Sequence, residues 1–377
     1  MSVTPRQSLA EAKRWVVKVG SALLTAGGSR LDNDVITKLA TQLMTLRTRG
    51  CEVILVSSGS VAAGVARLGY PERPRELHEL QAAAAVGQSA LIRAYEDTLA
   101  RHAVTTAQIL LSHADVRARD RYLNARATLN TLIGMGVLPI INENDTVVTD
   151  EIRLGDNDTL AALVANLIDA DALLILTDQS GLYDKNPQIY SDAVLVAQAD
   201  VNDSKLDTMV GEGGALGRGG MITKLRAARL AARSGTMTVI ASGSHDNVVP
   251  AVAAGDPIGT FLTTTNRPQS ARKQWLASLM HAKGALILDH GAAQSVCQQG
   301  RSLLPIGITA VQGQFERGDL VACLDPQGRE VARGLVNYSS DEACLLVQTP
   351  SAAITSKIGY GGDPEMIHRD NMVHTSL

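Results

Sequence analysis

The sequence predicts an α/β protein: a mainly parallel open sheet with helices on both faces, followed by a small all-β module. Three observations predict it. Short apolar runs alternate with amphipathic helical patterns from Trp15 to Leu262, as strand–helix–strand units do. Several of those runs end in turns rich in Ser, Gly or carboxylates, the composition of a ligand-bearing carboxyl edge. Beyond Lys283 the helical pattern stops, and short β runs punctuated by glycines take over.

In order, Trp15–Val19 (WVVKV) reads as a buried strand ending at Gly20-Ser21. Lys18 sits inside it, so its ammonium either reaches an anion or snorkels to water from an edge strand. Residues 32–47 read as an amphipathic helix with Val35, Ile36, Leu39, Leu43 and Leu46 on one face. Glu52–Val56 is the next strand, Ser57-Ser58-Gly59-Ser60 a tight loop, and Val61–Leu68 a helix. Such a loop suits a carboxylate or phosphate through its backbone N–H groups, or serves as an ordinary N-cap. Helices over 79–100 and 122–135 flank a strand at 106–111, and Val137–Ile141 is the fourth strand.

That strand delivers the most acidic stretch of the chain. Glu143, Asp145, Asp150, Glu151, Asp156 and Asp158 crowd together with only Arg153 opposing them, before the helical pattern Leu160, Leu163, Val164, Leu167, Ile168. Crowded carboxylates raise one another's ionisation cost, which a bound ammonium or metal ion relieves. Ala172–Leu176 follows, ending in Thr177-Asp178. Residues 211–220 hold six glycines and open a helix carrying Lys224, which makes either a phosphate loop or a plain surface loop. Walker A spacing is absent, as is a strand followed by G-x-G-x-x-G. Thr238–Ala241 and Ile258–Leu262 complete the sheet; residues 263–275 read as a polar linker leading into a short helix. The module's runs are 285–288, 308–311, 320–324, 330–336 and 343–347.

Length favours one large domain and a smaller one, which places 1–265 in the first, 266–282 in a linker, 283–361 in the module and 362–377 in a tail. A formal charge of −3 gives no footprint for nucleic acid or a membrane surface. The module is itself near neutral, with six Lys/Arg against seven Asp/Glu. Cys51, Cys297, Cys323 and Cys344 have no metal or redox spacing and read as reduced and structural. His78, His102 and His113 fall outside the motifs. With no signal-type apolar segment and no eighteen-residue apolar run, the chain reads as soluble and cytosolic.

VVKVGSALLT, SSGSVAAG, INEND with EIRLGDND, LLILTDQSGLY and GRGGMITK, in this order, resemble the glutamate 5-kinase family of the amino acid kinase superfamily. GALILDHGA and SLLPIGI…F.RGD are similar to the PUA domain of its bacterial members. The match spans nearly the whole chain, and the tandem of INEND, GDND and a PUA module separates it from acetylglutamate, aspartate and uridylate kinases. The resemblance implies the amino acid kinase fold and transfer of phosphate from ATP to the γ-carboxylate of L-glutamate, the first step of proline synthesis. It implies Lys18 and Lys224 on either side of the transferring phosphoryl group, with Asp158 holding both. Ser58, Gly59, Asp145 and Asn157 would bind glutamate. Lys18, Thr177, Asp178, Arg218, Gly219, Gly220, Met221, Ile222, Thr223 and Lys224 would bind ATP, with Mg²⁺ on its phosphates and no protein metal site.

The resemblance further implies feedback inhibition by proline, a homo-oligomer (dimer or tetramer) and the reductase that forms glutamate 5-semialdehyde as a pathway partner. Three positions depart from the family pattern: Arg218 replaces a common Thr, Ile222 a common Ser, and Arg153 a common Lys. A carboxylate nucleophile is ionised at neutral pH and needs no general base, which fits the lack of His or Cys in these loops. The competing readings are a kinase for N-acetylglutamate or aspartate, and an RNA-binding regulatory protein acting through the module.

Overall fold

The computed structural model describes residues 5–25, 30–148, 157–210, 220–264 and 282–374. The chain divides into two compact units, Met1–Val116 with Arg126–Pro268, and Arg117–Ala125 with Gln269–Leu377.

The first unit is built on an eight-stranded sheet: β1 (Arg14–Val19), β2 (Glu52–Ser57), β3 (Thr106–Leu111), β4 (Leu138–Glu143), β5 (Ala172–Thr177), β6 (Gln198–Asp200), β7 (Met237–Ser242) and β8 (Thr260–Thr263). Their order in space is β3-β4-β2-β1-β5-β7-β8-β6. Every neighbouring pair is parallel except β7–β8. The helix between those two strands has only six residues, Val248–Ala253. It rises roughly 9 Å, about half the length of a six-residue strand, so the crossover is incomplete and β8 re-enters antiparallel. The partner of β8, β6, has the sequence QAD and carries no apolar run from which a strand could be read.

The helices between these strands are α1 (Ser21–Leu24), α2 (Asn33–Thr48), α3 (Ser60–Leu68), α4 (Leu77–Ala100), α5 (His113–Arg117), α6 (Arg119–Gly134), α7 (Asn157–Leu167), α8 (Lys205–Met209), α9 (Met221–Ala232) and α10 (Val248–Ala253). Strand alternation decides what faces which layer. Trp15, Val17 and Val19 join one core with Leu39 and Leu43 of α2 and Leu91 and Tyr95 of α4. Lys18, on the opposite face of β1, is thereby turned toward the start of α7. Asp32 caps α2 by accepting from the Asp34 and Val35 amides, which starts that helix where the sequence places it.

α3 and α4 cross at backbone contact. A Cβ on Gly64 would lie 1.7 Å from the Ala83 carbonyl oxygen, and one on Gly87 would lie 1.8 Å from that of Ser60. Only glycine permits this approach, and it brings the polar Gln88 of α4 up to the end of β4.

The second unit holds a five-stranded sheet, ordered β10 (Ile308–Gly313), β9 (Gly284–Leu288), β11 (Leu320–Leu324), β12 (Glu330–Leu335) and β13 (Met372–His374). Four of the five expected β runs are strands. The fifth is corrected: residues 343–347 fall in and just after a helix, α12 (Ser340–Leu346). Ser339 and Glu342 form a capping box that nucleates it, a signal stronger than the apolar ACLLV run. Residues expected as a tail contribute β13, which pairs with β12. Short helices at His290–Gln299 (α11) and Ile354–Ile358 (α13) accompany the sheet. No helix among the described residues is long and apolar enough to cross a membrane.

Candidate active site

β1, β2, β4 and β5 are parallel, so their carboxyl ends share one edge of the sheet. Lys18 and Gly20, Ser58, Asn142 and Asp145, and Thr177 and Asp178 all follow from those ends. α7 and α9 begin at the same edge and bring Asn157 and Asp158, and Thr223 and Lys224.

Asp158 is the hub. Its Oδ1 lies 2.6 Å from Lys18 Nζ, its Oδ2 lies 3.2 Å from Lys224 Nζ, and the Thr223 hydroxyl donates to Oδ2 at 2.8 Å. All three charged groups are buried: Lys18 is 6 % exposed, Lys224 4 % and Asp158 1 %. Burial works to raise the Asp158 pKa, but the charges of Lys18 and Lys224 and the hydrogen bonds of Lys18 and Thr223 outweigh it, leaving the carboxyl below its ordinary value. Lys224 is pushed down by burial and by the Lys18 charge, against the pull of Asp158. Two ammonium groups thus share one buried carboxylate in a low-dielectric site, with the Asp178 charge also acting on Lys224, and an anion placed between the lysines would be stabilised.

A cavity of about 880 Å³ opens beside this hub, lined by Lys18, Gly20, Ser58, Thr177, Asp178 and Lys224 among others. Gly20 lines it near the lysine, where a Cβ would make an ordinary contact 3.6 Å from Lys18 Nζ. At the other side of Ser58 lies a polar cluster. The Ser60 hydroxyl donates to Asp145 Oδ2 at 2.9 Å, and Asn157 Nδ2 donates to Ser58 Oγ at 2.7 Å. Gly59, at φ +110°, takes a left-handed turn between them and precedes α3. Burial raises the Asp145 pKa, opposed by the Ser60 hydrogen bond and the charge of Arg73. Arg73 also lines the cavity.

Lys18, Lys224 and Asp158 therefore converge, and Ser58, Gly59, Asp145 and Asn157 gather next to them. Thr177, Asp178, Gly220 and Met221 line the cavity, while Ile222 and Thr223 do not. The Thr223 hydroxyl is turned to Asp158. Arg218 and Gly219, like Arg153, lie outside the described residues. Sequence reasoning missed Ser60, Arg73, Asn142 and Gln88. Ser60 and Asn142 stood inside motifs already singled out; Gln88 carried only the weak signal of a polar residue on a buried Ala-rich stripe.

Residues 13–242 match the amino acid kinase family, and residues 284–356 match the PUA domain. The chain is 56 % identical over 369 residues to a glutamate 5-kinase of Methylococcus capsulatus, covering 98 % of this chain and 99 % of that protein. It is 58 % identical to a glutamate 5-kinase of Hahella chejuensis, with 98 % and 96 % covered. Among solved structures, the UMP kinase of Bacillus anthracis aligns with a TM-score of 0.47 at 16 % identity, covering 68 % of this chain and 97 % of that one.

Proposed function

The chain belongs to the glutamate 5-kinase branch of the amino acid kinase family, and from that premise we propose that it phosphorylates the γ-carboxylate of L-glutamate with ATP. The product is L-glutamyl 5-phosphate, at the start of proline synthesis. A γ-carboxylate oxygen attacks the terminal phosphorus of ATP; the new O–P bond forms as the bond to the β,γ-bridging oxygen breaks, and ADP leaves. No proton moves, because the acceptor is ionised, its reference pKa being about 4.3.

Catalysis then reduces to positioning and charge stabilisation. Lys18 and Lys224 flank the transferring group and neutralise the charge on its oxygens, and Asp158 holds both lysines in place. Ser58 and Asn157 hold the amino acid, and Asp145 pairs with its α-ammonium. Thr177, Asp178, Gly220 and Met221 bound the nucleotide. Mg²⁺ carried by ATP would add charge neutralisation at the phosphates. Among the described residues no group of three or more His, Cys, Asp or Glu is placed to hold a metal.

The observation that carries this reading is the pair of buried lysines on one buried aspartate, opening on a cavity beside Ser58 and the Asp145 cluster. An ADP-release assay with glutamate, N-acetylglutamate and aspartate tests it. Glutamate is expected to support turnover and N-acetylglutamate not, since an acylated amine offers Asp145 no charge. Equal turnover of N-acetylglutamate, or none with glutamate, would sink the proposal.

A further inference from the structure

Behind Ser58 and Asp145 runs a chain of side chains whose hydrogen bonds have forced directions. An ionised Asp145 only accepts, so Ser60 spends its single hydrogen on it, at 2.9 Å. The Ser60 oxygen then accepts from Asn142 Nδ2 at 3.2 Å. The other hydrogen of that amide goes to Gln88 Oε1, at 2.7 Å. Asn142 must therefore turn its oxygen the opposite way, where Asn157 Nδ2 donates to it at 3.1 Å. The second Asn157 hydrogen goes to Ser58 Oγ at 2.7 Å.

Two atoms are left over. Asn157 Oδ1 is shielded from solvent and has no hydrogen-bond partner among the described residues. It is an acceptor, suited to an ammonium. Ser58 has accepted from Asn157 and keeps its own hydrogen, which suits a carboxylate.

We propose that Gln88 is a positioning residue for the amino-acid subsite, fixing through Asn142 which atoms Asn157 and Ser58 present to substrate. Gln88 does not line the cavity, and is itself buried on α4. The glycine crossing sets it there: Gly87 meets the backbone of Ser60, and the next side chain reaches Asn142. Without the Gln88 oxygen, one Asn142 hydrogen is stranded, and only the longer bond to Ser60 still holds the amide against a flip. In the flipped state Asn157 would turn its NH₂ toward the substrate ammonium, donor against donor, so a weaker hold on Asn142 weakens the subsite. The inference deepens the glutamate kinase reading and rests on it.

The test compares wild type, Gln88→Met and Gln88→Glu in the full chain, with glutamate and with glutarate, which lacks the α-ammonium. Gln88→Met keeps the volume and loses the acceptor; its KM for glutamate is expected to rise about tenfold, one charge-assisted hydrogen bond's worth. KM for ATP stays within about twofold, and the preference for glutamate over glutarate shrinks by the same tenfold factor. Gln88→Glu keeps an acceptor oxygen and retains the preference. A lower Tm with an unchanged glutamate-to-glutarate ratio in Gln88→Met makes Gln88 merely structural and overturns the inference. Should Gln88→Met fail to fold, Ser60→Ala breaks the same chain at its other end, and an unchanged ratio there is equally fatal. A wild-type chain inert with glutamate removes the activity and this inference together, whereas with an active wild type the ratio measures the role of Gln88 alone.

Discussion

Replacing Asp158 by Asn probes the centre of the site. The carboxylate is ion-paired with Lys18 through one oxygen and accepts from Lys224 and Thr223 on the other. A carboxamide has one oxygen, so it holds one lysine and turns its NH₂ against the other. Removing one partner of a buried pair costs about 3–5 kcal/mol when the remaining charge stays buried. Here the remaining charge has an escape. Lys224 already sits below its ordinary pKa through burial, and it would lose the upward pull of Asp158 and drop further.

The variant should therefore show two opposite pH trends. A lysine with a depressed folded pKa binds fewer protons folded than unfolded between that pKa and its ordinary value of about 10.4, so stability rises with pH across that window. In Asp158→Asn the window opens at lower pH, and the deficit in urea unfolding shrinks as pH is raised. kcat moves the other way, because a neutral Lys224 no longer balances phosphoryl charge. Misplacing groups by an ångström costs on the order of 10²-fold, and two lysines are displaced, so kcat should fall on the order of 10²- to 10⁴-fold. Urea unfolding and ADP release, each measured across pH, read both trends. A kcat within about threefold of wild type, with flat pH behaviour, would refute the idea that Asp158 holds the lysines in place.

Two further outcomes follow from the same geometry. Lys224→Met removes a buried charge but leaves Asp158 paired with Lys18, so activity should fall about 10³-fold or more while Tm shifts by no more than a few degrees; steady-state turnover and calorimetry on one sample check it. Asp145, held above the ordinary carboxylate value by burial despite Ser60 and Arg73, should lose its charge as pH falls through that raised value. Glutamate KM should then climb at a higher pH than a free carboxylate would produce, and the Asp145→Asn variant should lack that acid limb.

Much of the site was legible because charge was misplaced by ordinary rules. Lys18 in an apolar strand called for an anion or a route to water, and the crowded acids around Asp158 for a cation; the structure pairs the two. Period and turn chemistry likewise marked seven of the eight strands of the first sheet. What escaped has physical causes. β6 and β13 are three-residue strands whose pairing comes from distant chain. α12 hides in an apolar run because its start is written in the Ser339–Glu342 cap. Gln88 matters through a tertiary hydrogen bond, which no local periodicity records.

Asn157 and Asp158 are consecutive residues at the start of α7; in the proposed mechanism one holds the amino acid, and the other pairs with both lysines. Neighbouring α-carbons are fixed about 3.8 Å apart. The gap between acceptor and donor is thus gauged by a single peptide link, and a slide of α7 carries both grips together. Evolution or an engineer wishing to lengthen the acceptor by one methylene has to rebuild the Ser58 side, because the ruler itself does not stretch.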